Sequence, residues 1–455
     1  MPKKKTALTI EERLQQALVP AEEQPYEVPE NWVWVRLGTI AEIVTGGTPS
    51  KKHPEYYGGN FPFYKPSDLD QGRLTYDASE YLSEEGKKVS RIIPKNSTAV
   101  CCIGSIGKCG YLMCEGTTNQ QINSAIPKIN SLCMYYYLCT ENFVQNLLSM
   151  ASATTIAIVN KSKMESCAFP LPPLSEQQHI VERIEELFAK LDEAKERLQE
   201  VADSFAVRKA AILHKAFTGE LTKQWRWENG VSDESWEEKL LGDVCTVNPK
   251  KIDAKNLDDN LEVSFVPMAA VSDVLGEIVN HEVKNLQDVR TGFTNFSKGD
   301  VIFAKITPCM ENGKSAIVGP LVNDIGYGST EFYVLRCKEE LYNKYLYHMV
   351  RNTTFRAEAK AVMTGAVGQQ RVPKTFLQEY QLLLPILPEQ HEIVRLIDDL
   401  LARERAAQQA AEQALASIDL MKKSILARAF RGELGTNKAN EASALELLRQ
   451  VLAEN

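Results

Sequence analysis

The sequence predicts two mixed α/β (α+β) domains in one chain, each followed by a long helix, with the two helices paired as an antiparallel coiled coil. Three observations lead there. Residues 171–221 and 384–434 align without a gap at an offset of 213, with 20 identities in 51 positions. The first copy spaces Ile180, Ile184, Leu187, Leu191, Ala194, Leu198, Val201 and Phe205 in alternating steps of four and three, the pattern of a coiled-coil seam. At an offset of 204, residues 32–38 also match 236–242, so the repeat includes the block that precedes each helix.

Length and composition agree with this plan. A chain of 455 residues suits two to three domains, and 44% hydrophobic content is ample for ordinary cores. The basic start, Met1-Pro-Lys-Lys-Lys, leads into no apolar run, and no apolar segment approaches membrane-spanning length. Ten cysteines at irregular spacing, including adjacent Cys101 and Cys102, read as a reducing, cytoplasmic setting rather than a disulfide framework. The net charge of -8 is unevenly spread. Residues 31–170 carry 13 Lys and Arg against 11 Asp and Glu, residues 171–221 carry 7 against 10, and residues 237–384 carry 17 against 19. Only the first block is net basic, and local basic patches, not whole-chain charge, decide affinity for nucleic acid.

In chain order, residues 1–30 hold a short amphipathic helix over 9–19, capped by Thr9, and a Pro/Glu linker. Residues 31–170 form the first block. Its Gly/Pro-rich loop at 45–59 carries paired lysines and tyrosines, its segment 98–114 reads as two strands around a Gly-Ser-Ile-Gly-Lys turn, and 131–150 reads as helical. The first long helix occupies 171–221. Pro172 and Pro173 block its extension, Ser175 suits its cap with Gln178 completing a capping box, and Gly219 suits its end. A linker, 222–236, leads to the second block at 237–383, which repeats the order of strands and places helices at 339–362. The second long helix, 384–434, has Pro388 for its first turn and Gly432 for its end. Its seam (Ile393, Ile397, Leu400, Glu404, Ala407, Ala411, Ala414, Ile418, Met421, Ile425) is thinner and rich in small residues that complement Leu198, Val201 and Phe205. Antiparallel pairing would set the two blocks at opposite ends of a rod. A tail helix is expected in 435–455.

No catalytic set emerges. Gly104-Ser-Ile-Gly-Lys108 lacks the spacing of a phosphate-binding P-loop, the cysteines lack metal-ligand spacing, and Asn248-Pro249 is followed by lysines, unlike the motif of amino-methyltransferases. Glu358-Ala-Lys360 lies in a helical run rather than on a nuclease strand. Polar, basic and aromatic loop residues remain, the types that hold phosphates and read base edges. In the first block these are Thr48, Ser50, Lys51, Lys52, Tyr56, Tyr57, Lys65, Ser67, Ser105, Lys108, Asn119, Gln120, Thr154, Thr155, Asn160 and Lys161. In the second they are Lys250, Lys251, Lys305, Thr307, Asn312, Lys314, Gln369, Gln370 and Arg371. Taken one at a time, each is also an ordinary solvated loop residue; as sets at similar places in two similar blocks they point to double-stranded DNA. A coiled-coil scaffold with two protein-binding domains is the rival that the acidic balance and the heptads favour.

The chain resembles the DNA-specificity subunits of type I restriction–modification systems. The resemblance rests on Pro-Glu-Asn-Trp at 29–32, Thr-Gly-Gly-Thr-Pro-Ser at 45–50, Pro-Glu-Tyr-Tyr-Gly-Gly at 54–59 and Pro-Ser-Asp-Leu at 66–69. Gly-Ser-Ile-Gly at 104–107, Thr-Asn-Gln at 118–120, Pro-Leu-Pro-Pro-Leu-Ser-Glu-Gln at 170–177 and the Ala-Phe-x-Gly-Glu-Leu that closes both helices complete it. It implies that each block is a target-recognition domain for one half of a bipartite, asymmetric site. The helices would space the halves and dock two methyltransferase subunits, with two ATP-driven restriction subunits joining them. S-adenosylmethionine, ATP and Mg would then belong to the partners, and this chain would be non-catalytic. In the second block, Asn-Pro-Lys-Lys replaces Thr-Gly-Gly-Thr-Pro-Ser, which suits a block that reads a different sequence.

Overall fold

The computed structural model describes residues 9–152, 157–253, 256–366, 368–438 and 442–454. It divides into two units: one takes the chain up to Gln199 and from Gln413 onward, the other runs from Glu200 to Glu412. The division falls within the long helices, so each unit holds one block and a stretch of both helices.

In unit 1 a four-stranded antiparallel sheet is ordered Ala41–Thr45, Ile122–Pro127, Thr98–Cys101, Cys109–Tyr111. Tyr57–Tyr64 lies between Glu80–Leu82 and Thr117–Thr118 in a smaller sheet, parallel to the latter. Unit 2 repeats the larger sheet as Cys245–Val247, Phe332–Cys337, Val301–Ala304, Ser315–Ile317. Its second sheet, ordered Glu282–Asn285, Glu262–Val266, Gly326–Gly328, Thr294–Phe296, has one strand more. Both blocks are closed at the neck by a two-stranded antiparallel ladder. Val33–Arg36 pairs with Ala168–Leu171, and Glu237–Leu240 pairs with Gln381–Leu384. Chain entry and exit therefore lie side by side in each block.

The helical stretches break where side chains can cap a new start. Thr140 separates Ser131–Leu138 from Glu141–Met150 and accepts from Phe143 N. Asn352 does the same between Asn343–Arg351 and Thr353–Ala361. Near the amino terminus, Thr9 and Glu12 close a full capping box on Ile10–Ala17. Among the described residues no helix is long and apolar enough to cross a membrane. All ten cysteines are free thiols.

The long helices run Leu174–Phe217 and Leu387–Ala429. The first starts one residue before Ser175, so Ser175 is not its cap; Gln178 instead accepts from Asn130 Nδ2 at 3.0 Å. Gly219 and Gly432 follow the helix ends with φ of +79° and +74°, the left-handed geometry that glycine tolerates. Pairing is antiparallel: in unit 2 Arg208 meets Glu404 at 2.9 Å while Thr222, further on, bonds Glu389. In unit 1 Asp192 pairs with Lys422, whose ammonium also lies over the Phe188 ring.

Each block is gripped by the start of one helix and the end of the other. Ile180, Ile184, Leu426, Ala429 and Phe430 join the core of unit 1, whereas Leu213, Ala216, Ile393, Val394 and Ile397 join that of unit 2. Along the seam Phe205, Ala411 and Ile418 are buried, and Leu187, Leu191, Leu198, Leu400 and Ile425 are half-buried. Val201 and Met421 depart from the expected seam, at 44% and 49% exposed, and Glu404 is taken up by its ion pair with Arg208.

Candidate nucleic-acid interface

Glu-Gln opens both repeats and forms a buried latch in each unit. Gln177 donates to Pro172 O at 2.9 Å and accepts from Asn130 N at 3.0 Å. Gln390 donates to Pro385 O and Glu340 O and accepts from Tyr342 N, each at 2.8 Å. The glutamine thus pins the helix start to the block above it. The glutamate reaches elsewhere. Trp32 Nε1 donates to Glu176 at 2.6 Å, and Thr436, beyond the second helix, donates at 3.5 Å. Thr222 and Arg226, beyond the first helix, donate to Glu389 at 2.6 and 2.7 Å. Each helix start is therefore held by the segment that follows the other helix. All four Glu-Gln residues are fully buried, so their role is architectural.

Above this frame, the loops of block 1 converge. Gly46 N donates to Ile122 O and Gly47 N to Thr118 O, which lays the 45–50 loop on the 118–122 turn. A Cβ on Gly46 would sit 2.2 Å from Asn119 O, so that approach requires glycine. Thr48 then hydrogen-bonds Gln120, and Tyr57 Oη donates to Pro49 O at 2.6 Å. The 103–107 turn joins the same group, because Cys102 N donates to Gln121 O and Ile103 bridges Ile158.

Several expected contact residues are committed inside the block. Lys65 pairs with Glu80 at 2.9 Å, Lys108 with Asp70 at 2.7 Å and Lys161 with Glu165 at 3.6 Å. Asn119 is buried and bonds Gln121, Asn160 caps the helix Lys161–Glu165, and Tyr56 stacks on His53. Thr48, Ser50, Lys51, Lys52, Ser67, Ser105 and Gln120 remain exposed. Thr154 and Thr155 lie outside the described residues. Sequence reasoning missed Arg91, which is exposed and donates to Thr45 O at 2.6 Å, at the base of the 45–50 loop. Nothing in its own segment signals that proximity.

Block 2 brings equivalent segments together. As Ile103 and Ser152 bridge Ile158, so Ile306 and Thr364 bridge Arg371. Val159 N donates to Cys102 O, and Val372 N donates to Lys305 O. Thr307 and Gln370 exchange two hydrogen bonds, Thr307 N to Gln370 O and Gln370 N to Thr307 Oγ1. Arg371 grips Glu331 in a two-pronged pair, 2.7 and 2.9 Å, and this holds the Glu331 carboxyl below its usual range against the effect of burial. Lys314 donates to Met268 O, and Lys305 lies 5.2 Å from the Tyr333 ring centre. Asn312 and Gln369 are exposed; Lys250 and Lys251 are also exposed and make no ion pair among the described residues. Both blocks thus present hydroxyl, amide and lysine groups on loops whose backbones are fixed by the sheet beneath, an arrangement suited to reading a duplex surface.

A family model described as the type I restriction modification DNA specificity domain matches residues 29–203 and again 233–414. The chain is 32% identical over 263 residues to the type I restriction enzyme EcoEI specificity subunit of Escherichia coli, covering 49% of this chain but 44% of that protein, less than half its length. Over 456 residues it is 24% identical to the StySPI specificity subunit of Salmonella potsdam, covering 94% of this chain and 96% of that one. Its fold is similar to that of the HsdS subunit from Thermoanaerobacter tengcongensis, with a TM-score of 0.64 at 19% identity over 90% of this chain and 99% of that chain.

Proposed function

The chain belongs to the type I restriction–modification DNA specificity family, and we propose from this that its two blocks read the two halves of one bipartite, asymmetric DNA site. The observation that carries the reading is the repeated convergence of loops, Thr48 with Gln120 and Ile103 with Ile158 in one block, Thr307 with Gln370 and Ile306 with Arg371 in the other. Divergent side chains on equivalent loops give each block its own sequence. In the first block the readers are the exposed Thr48, Ser50, Lys51, Lys52, Ser67, Ser105 and Gln120, and in the second the exposed Lys250, Lys251, Asn312 and Gln369 with the half-buried Gln370.

In this reading the chain has no catalytic role. It docks two methyltransferase subunits and, in the restricting complex, two restriction subunits. S-adenosylmethionine, ATP and Mg are held by those partners. The paired helices set the length of the unread gap. One heptad added to both helices lengthens the pair by about 10 Å, or roughly three base pairs of B-DNA. Such an insertion is expected to yield a complex that methylates the same two half-sites at a gap two to three base pairs longer. A functional insertion variant with an unchanged gap would remove the ruler from the account.

A further inference from the structure

We propose that a cleft in unit 2, between the two long helices and the helix Asn343–Arg351, binds a phosphoryl oxyanion. The cleft encloses about 360 Å³, and Lys209, Arg351 and Arg405 line it together with Tyr347, Leu213 and Leu401. Four cationic and two carboxylate side chains face it, a surplus of two positive charges. One carboxylate, Asp398, is already engaged by His348 at 3.0 Å and Lys344 at 3.4 Å.

The surplus is concentrated on groups without anionic partners. Lys209 and Arg405, one from each long helix, make no side-chain hydrogen bond or ion pair among the described residues. Arg351 donates to backbone carbonyls, Gly313 O at 2.9 Å and Asp273 O at 2.8 Å, which fix its guanidinium without neutralising it. Gly276 closes over the same group: a Cβ there would lie 2.1 Å from Tyr347 Oη and 2.6 Å from Arg351 Nη1. Burial, then Arg351, Arg356 and Arg405, hold the Lys209 ammonium below its usual range. Lys209 and Arg405 are exposed on their helices and reach the cleft from its rim; like charges brought together there repel, and an anion among them reverses the sign of that interaction. Arg and Lys around a rigid aromatic and aliphatic wall suit a phosphate and its attached group better than a bare carboxylate. The phosphoryl group has two possible sources: a free small phosphate or the backbone of a nucleic-acid strand. The second rests on the DNA-binding reading above; the first does not.

The test compares the full chain with its Lys209→Gln/Arg405→Gln variant, with folding checked by circular dichroism. Inorganic phosphate is titrated calorimetrically, and a duplex of unrelated sequence is bound across a salt series. Saturable phosphate binding that weakens at least tenfold in the variant supports the site and a free phosphate as its ligand. A drop of about two in the salt slope for the duplex supports strand phosphates, since each contact contributes roughly 0.9. Identical behaviour of both proteins in both arms overturns the proposal. Binding of the wild-type complex to its own target, measured alongside, reports on the DNA reading independently of these arms.

Discussion

Replacing Arg226 with alanine is expected to destabilise the protein by about 3–5 kcal/mol, a fall on the order of 10 °C in Tm. Glu389 is fully buried, and Arg226 is only 6% exposed. The guanidinium bonds the carboxylate at 2.7 Å and reaches out to Asp233 at 3.0 Å. Without it, the carboxylate keeps the Thr222 hydroxyl as a donor but loses the charge that offsets its desolvation. Thr222→Val removes one hydrogen bond and should cost about 1 kcal/mol. Lys190→Ala provides the scale for an exposed pair: Lys190 and Glu186 are both solvated, and their loss should cost at most about 0.5 kcal/mol. Calorimetry on the three variants ranks them. A shift for Arg226→Ala no larger than that for Lys190→Ala would mean that the latch does not hold the second helix start.

Exchanging residues 31–170 for the first block of another specificity subunit is expected to change one half of the recognised site completely and leave the other half and the gap intact. The geometry of the neck is the reason. Val33 lies opposite Leu171 and Arg36 opposite Ala168, so the block enters and leaves the frame through one short ladder. Of the interactions that fix the helix start, Gln177 to Pro172 O lies outside the exchanged segment, whereas Trp32 to Glu176 and Asn130 N to Gln177 have to be supplied again by the incoming block. Sequencing that reports N6-methyladenine in cells carrying the chimaera reads both half-sites at once. A change in both halves would show that the blocks do not read independently.

Much of the frame was legible because it is periodic. Heptads from Ile180 to Phe205 and a gapless repeat identify two long helices, and glycines at 219 and 432 mark their ends. The Glu-Gln pairs stood out as repeated, yet their work was not legible. The partners of the two glutamates, Trp32, Thr436, Thr222 and Arg226, lie 144 or more residues away and form no pattern with them. The loops were found by composition, which does not reveal pairing. Lys65, Lys108 and Arg371 read as loop cations available for phosphates, but Glu80, Asp70 and Glu331 occupy them from distant segments. Lys161 with Glu165 was the exception, since spacing of four on a helix brings opposite charges together. Val201 shows the limit of the heptad itself: the pattern names a face, but it does not fix how far each position on that face is covered.

The most direct measurement of the central claim is modification-sensitive sequencing of the host genome with and without this gene, in cells that express the methyltransferase partner. Two blocks reading one split site predict that N6-methyladenine disappears from a single bipartite, gapped motif and nowhere else. An unchanged methylation map would contradict the account and leave a paired-helix scaffold whose blocks bind something other than DNA.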